Sequence, residues 1–192
     1  MNRAFETMAI AVLALSLATG AAVADPQTLA IGSPAPDFHL PGVDGKTYSP
    51  ADFAGAKVLV VIFTCNHCPT AQAYEGRIAR LHDEYRDKGV AVVAISPNDP
   101  AAVRLDELGY TDLGDSFEEM KIRARDHQFA YPYLYDGETQ ATARAYGVLA
   151  TPHVFIFDAK RALRYIGRFA DAEVKAIKSH DAKNAVAWVS PS

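Results

Sequence analysis

Apolar residues run unbroken from Val58 to Phe63 and again from Val90 to Ile95. Runs of this length with no polar side predict strands covered on both faces. Between them Tyr74, Ile78, Leu81 and Tyr85 recur at helical spacing after Pro69, and Lys88-Gly89 supplies a helix stop. Strand, helix and strand of these lengths predict a right-handed parallel unit. Upstream, after a Pro-bearing lead-in from Gln27 to Pro36, Phe38-His39-Leu40 and Lys46-Thr47-Tyr48 flank Val43-Asp44-Gly45. That pattern predicts a short hairpin with an Asp-Gly turn.

Downstream the chain turns polar between about Ser96 and Gln128. Asn98-Asp99-Pro100 predicts the cap of a helix ending near Gly109, and Asp115-Ser116 the cap of another reaching about Gln128. Tyr133-Leu134-Tyr135 reads as a short strand, and Glu138 to Tyr146 as a helix closed by Gly147. His153 to Phe157 and Leu163 to Ile166 read as strands joined by a tight turn through Asp158 to Arg161. Ala172 to Trp188 is expected to form a last amphipathic helix, with Trp188 on its apolar side. The sum is an α/β fold: a central mixed sheet flanked by helices, with an N-terminal hairpin and a helical insertion.

Composition adds bounds. The chain has 192 residues, 49% of them hydrophobic and 22% charged, enough for one ordinary globular core. A net charge of −4 gives no support for nucleic acid or an anionic membrane as partner. Residues 1–24 read as a cleaved export signal: a polar start with Arg3, an apolar stretch from Met8 to Ala18, and the small-x-small site Ala22-Val23-Ala24. The remaining domain is then 25–192, periplasmic or secreted, with no membrane contact after cleavage. An uncleaved anchor is the alternative. Nothing in the pattern assigns an oligomeric state.

Candidate chemistry lies in Cys65-Asn66-His67-Cys68-Pro69, directly after the first apolar run. The chain has only these two cysteines. A structural staple is the ordinary reading of cysteines in an oxidising compartment. A loop this short removes little chain entropy, so reactivity explains the pair better. With Cys65 at or near the N-cap of the following helix, unpaired N–H groups would favour its thiolate, and Cys65 is the expected nucleophile. Cys68, one turn inside and more buried, is expected to resolve the mixed disulfide. Pro69 suits a first helical turn. Thr151-Pro152, between Gly147 and the strand at His153, is a candidate cis bond. It would face the dithiol, with the Thr151 backbone free to pair with an extended partner.

Several segments carry a family resemblance: Gly32-Ser33-Pro34-Ala35-Pro36-Asp37-Phe38, Phe63 to Pro69, Ala94 to Asp99, Tyr131 to Asp136, Ala145-Tyr146-Gly147 and Thr151-Pro152. In this order the chain resembles the thioredoxin-like superfamily, in the redoxin group that includes alkyl hydroperoxide reductase and thiol-specific antioxidant proteins. The resemblance implies a thioredoxin-like fold, a cis Pro152, and exchange of a Cys65-Cys68 disulfide with protein thiols. No organic cofactor is expected, since the dithiol carries both electrons. Departures are specific. Thr64 replaces the usual Trp, Leu59 stands where thioredoxins carry a buried acid, and Ala71 stands where cytochrome-maturation relatives carry Glu. The proton route from Cys68 is thereby left to water or His67.

Two other functions stay open. Peroxidases of the group place Pro seven and Thr or Ser three residues before the reactive cysteine; before Cys65 these are Val58 and Ile62, and before Cys68 they are Val61 and Cys65. Copper-delivery proteins on this fold suggest a copper(I) carrier built from Cys65, Cys68 and His153. Asn66, His67 and Pro69 are expected to tune the redox pair. A polarised His67 ring would lower the Cys65 pKa; the alternative is a solvent-facing ring. Tyr131, Tyr133 and Tyr135 read as core packing, and Glu118-Glu119 as a solvated helix face.

Overall fold

The computed structural model describes residues 27–168 apart from 105, 107, 108 and 110. The predicted leader and the helix from Ala172 to Trp188 lie outside the described residues. Two short strands, β1 (Leu40–Pro41) and β2 (Thr47–Tyr48), form the hairpin, with Gly45 at φ 83° in its turn. The central sheet comprises β3 (Val58–Phe63), β4 (Val90–Ser96), β5 (Tyr133–Tyr135), β6 (His153–Phe157) and β7 (Leu163–Gly167). Its order is β5-β4-β3-β6-β7. β3, β4 and β5 run parallel, while β6 runs antiparallel to β3 and β7 antiparallel to β6.

β3 is central, and each of its residues is fully buried. Its side chains divide by the two-residue period of a strand. Val58, Val60 and Ile62 pack with Tyr74, Ile78 and Leu81 of helix α1 (Pro69–Tyr85) and Met120 of α2 (Phe117–Asp126). Leu59, Val61 and Phe63 pack on the other face with Phe38, Leu40, Phe53 and Tyr146, the last at the end of α3 (Ala141–Tyr146). Fully burying such a side chain contributes about 1.5–3 kcal/mol each. The strand therefore has no freedom to shift register, and its carboxyl end is a fixed platform. Among the described residues no helix is long and apolar enough to cross a membrane.

Local chemistry explains where the expectations and the structure differ. Among the described residues, the helix expected after Asp99 opens as a 3-10 turn, Pro100–Ala102, capped by the Asp99 carboxylate accepting from Ala101 N at 2.9 Å. The three residues of that turn are exposed and bury no face against the core. Helix α3 starts at Ala141 rather than Glu138. The Asp136 carboxylate accepts from the N–H groups of Thr142 at 3.1 Å and Ala143 at 2.8 Å, and so caps the helix from before the turn. Glu119 is not merely a solvated side chain. It closes a capping box with Ser116, accepting from Ser116 N at 3.2 Å, and also accepts from Gly114 N at 2.9 Å. Glu118 is exposed beside Lys121, as expected of a solvated face.

The loops after β4 and β5 touch closely. A Cβ at Gly137 would collide with the backbone carbonyl of Asn98. Replacing Gly137 by Ala should therefore destabilise the fold by about 1–3 kcal/mol, the usual cost of overpacking. Urea denaturation would read the loss, and an unchanged midpoint would refute the contact.

Candidate active site

β3 delivers the chain to the site, and Pro69 decides how it continues. Proline lacks an N–H and holds φ near the helical value, so it suits the first helical position. The residue before proline is pushed out of the helical region. Cys68 obeys this, with φ −71° and ψ 117°, and is the N-cap of α1. The expected placement of Cys65 at the N-cap is thereby corrected: Cys65 precedes the helix altogether. The expected burial is also reversed. Cys65 is 2% exposed, whereas Cys68 is half-buried.

A buried carboxylate shapes the loop between the cysteines. Asp115, fully buried just before α2, accepts from Asn66 N at 2.7 Å and His67 N at 3.2 Å through one oxygen. Its other oxygen meets the His67 ring at Nδ1 and accepts from Asn98 Nδ2 at 2.7 Å. Asn66 is equally engaged. Its amide donates to Gly114 O at 2.7 Å, its side-chain oxygen accepts from the Tyr133 hydroxyl at 3.1 Å, and its carbonyl accepts from Gln72 Nε2 at 2.7 Å. The loop is held off the helix by these contacts, with every polar group of Asn66 satisfied. Tyr133 is core packing with a polar end inside the site.

The Thr151-Pro152 peptide is cis. Thr151 contacts both sulfurs: its hydroxyl is 3.2 Å from Cys65 Sγ, and its carbonyl accepts from the Cys68 thiol at 3.8 Å. Both thiols are free. An open cleft of about 430 Å³ is lined by His67, Cys68, Asn98, Arg144, Leu149 and Thr151. Leu149 is 65% exposed on its wall.

The two thiols are electrostatically unlike. A hydrogen bond from Cys65 lowers the Cys68 pKa to about 5, against some opposition from burial, helped by the N–H groups of Ala71 and Thr70. No side chain caps this helix end, so those N–H groups remain directed at the sulfur. The same hydrogen bond, burial and the nearby Asp115 charge push the Cys65 thiol up. The directions agree with the geometry: the anion sits at the open helix end, and the neutral thiol sits beside a buried negative charge.

The structure does not gather Cys65, Cys68 and His153 into a three-donor cluster. His153 Nδ1 accepts from Leu149 N at 3.4 Å, and its ring lies 4.6 Å from that of Phe155. Burial lowers its pKa. The cluster that forms among the described residues is Cys65, His67 and Asp115, whose sulfur, ring nitrogen and carboxylate oxygen all lie within 4.8 Å of one another. The nitrogen and oxygen are already bonded to each other, which is the arrangement of a hydrogen-bonded pair rather than of vacant ligands. Sequence reasoning placed Asp115 and Asn98 as helix caps and passed over Gln72. The signal was a doubled cap: Asn98-Asp99 and Asp115-Ser116 each offer two capping residues where one suffices. Asp99 and Ser116 cap, which leaves Asn98 and Asp115 for the site.

A mixed sheet carrying paired thiols at a strand–helix junction, opposite a cis-proline, defines an oxidoreductase with a thioredoxin-like fold. The chain belongs to the AhpC/TSA family, whose model matches residues 31–166. It is similar to the thioredoxin-like protein YneN of Bacillus subtilis, 26% identical over 75% of this chain and 76% of that one. It is also similar to the thiol-disulfide oxidoreductase ResA of Geobacillus thermodenitrificans, 25% identical over 68% of this chain and spanning 64% of ResA's length. Among solved structures, an uncharacterized conserved protein from Geobacillus kaustophilus is 36% identical, with a TM-score of 0.67, over 78% of this chain and 75% of that one.

Alkylation by iodoacetamide should label Cys68 well before Cys65, as located by peptide mass mapping. Because the Cys68 pKa is depressed to about 5, its rate should climb as pH rises through that value and be level by neutrality. Preferential labelling of Cys65 would reverse the assignment.

Proposed function

We propose that this protein is an exported thiol-disulfide oxidoreductase that exchanges the Cys65-Cys68 dithiol/disulfide with partner proteins. The observation that carries the reading is the unlike pair itself. A half-buried sulfur with a depressed pKa opens on a cleft, and a buried neutral thiol hydrogen-bonds it from behind. Family membership and the likeness to ResA and YneN support the redox class. The leader pattern at residues 1–24 supports export.

In this reading the roles expected from spacing are exchanged. Cys68, as thiolate, attacks a partner disulfide and forms a mixed disulfide, and the partner's other sulfur leaves. Cys65 then attacks the Cys68 sulfur, closes the internal disulfide and releases the partner. The reverse sequence donates a disulfide. The Thr151-Pro152 edge, beside both sulfurs, would take the partner's extended backbone. The dithiol holds the two electrons, so no organic cofactor enters. Asn66 and Pro69 act through the loop and the helix start.

Replacing Cys65 by Ser should trap partners as a disulfide on Cys68, visible on non-reducing gels of cell extracts. Replacing Cys68 by Ser should trap none. Trapping by the Cys68→Ser variant alone would give the attack to Cys65. An equilibrium titration of the purified protein against glutathione should show one reversible two-electron transition. A midpoint near about −120 mV would make it a disulfide donor, and one below roughly −250 mV a reductant. Absence of any transition would end the exchange reading.

Peroxide reduction is the second reading, favoured by the family and by a thiolate placed at a helix N-terminus. It predicts peroxide turnover lost on Cys68→Ser, whereas the exchange reading predicts peroxide consumption no faster than that of a free thiol.

A further inference from the structure

Closing the internal disulfide requires Cys65 to lose a proton, and its surroundings oppose that. The thiol is 2% exposed, and the negative charge of Asp115 faces it. Cys68 is occupied by the partner at that stage and accepts nothing. The strand position where relatives carry an acid is Leu59, itself fully buried in the core. The nearest polar groups from elsewhere in the chain are the Thr151 hydroxyl, which is no base at neutral pH, and the His67–Asp115 pair.

The pair is built for the task. The carboxylate facing Nδ1 favours the tautomer with the proton on that nitrogen, which leaves Nε2 as the free acceptor of the ring. Asp115 is fixed in turn by the Asn66 and His67 N–H groups and by Asn98. One ring nitrogen of His67, a carboxylate oxygen of Asp115 and the Cys65 sulfur lie within 4.8 Å of one another, so one bridging water can link the thiol to the ring while Asp115 keeps its hold on Nδ1. His67 also lines the cleft, so a proton taken from the buried thiol has a way out.

We propose that His67, held by Asp115, accepts the Cys65 proton in the resolving step and passes it to solvent through the cleft. The inference rests on the exchange reading above. The Cys65 S–H bond breaks and its proton moves to His67. The sulfur's electron pair forms the bond to Cys68 Sγ, and the bond from Cys68 to the partner breaks. The partner sulfur leaves with that electron pair as a thiolate. No other oxidant or reductant is needed. Asp115 and Asn98 are positioning residues that act through His67. The other titratable groups facing the pair are the thiols, the phenols of Tyr133 on β5 and Tyr135 beside it, and Glu119 on α2. Burial raises both phenols, and hydrogen bonds with Ser116 and Gly114 keep Glu119 ionised.

The test mixes reduced protein with one equivalent of the symmetrical aryl disulfide of thionitrobenzoate in a stopped-flow instrument. Attack by Cys68 releases one coloured thiolate, and resolution by Cys65 releases the second. Asp115→Asn and His67→Gln, each confirmed as folded by circular dichroism, should slow the second release on the order of 10²-fold, the usual yield of a positioned base. In both variants that release should rise in proportion to hydroxide, because Cys65 must then ionise unaided. Equal second-phase rates in folded His67→Gln and wild type would overturn the proposal. So would an equal slowing of both phases, which marks a merely structural loop. A first release undiminished in Cys68→Ser would give the attack to Cys65 and overturn the proposal, whereas no first release in the wild type would end the exchange reading instead.

Discussion

The Asp115 carboxylate, buried and met by two N–H groups, one amide and one imidazole, is the contact on which the geometry of both thiols depends. A charge away from water is tolerable only when fully partnered. Here its partners are the residues between the cysteines. The loop therefore cannot relax without stranding the charge, and the charge cannot move without freeing the loop. β3 and α1 fix the two ends of the segment, and Asp115 fixes its middle.

The hydrogen bond between the sulfurs, with the different surroundings of each, makes two chemically identical side chains unlike. Cys68 sits at the positive end of α1, facing N–H groups that no side chain satisfies. Cys65 sits beside Asp115 and behind Cys68. One location favours an anion and the other a neutral thiol. Their separation in the chain is short, so the difference comes from what the fold brings to each. Arg144 and the exposed Leu149 add a cationic and an apolar element to the cleft wall, where a partner would meet the anion.

Much of this was legible in the chain. Continuous apolar runs marked β3 and β4, because strands covered on both faces need no polar side. Gly89 and Gly147 marked helix ends, and both adopt positive φ there. The expected cis peptide at Thr151-Pro152 is present. Pro69 also announced the helix start, but its effect on the residue before it was not carried through to Cys68. Other features depend on distant pairing. Asp115 and Asn66 are 49 positions apart, and Cys65 and Thr151 are 86 apart. Neither contact has a local period that a pattern can reveal. His153 shows the converse hazard. Its neighbour Pro152 lies in the site, but its own ring nitrogen turns to Leu149.

The site draws one segment each from the ends of β3 and β4, the approach to α2, and the loop before β6. None of the four makes a reactive thiol alone. A newly made chain thus carries two ordinary cysteines, slow to react near neutral pH because they are mostly protonated. Only when the fold sets Cys65 against Cys68 at the N-terminus of α1 does one sulfur favour the anion. The chemistry is in effect locked until folding is finished, so the chain is protected from its own reactivity during synthesis.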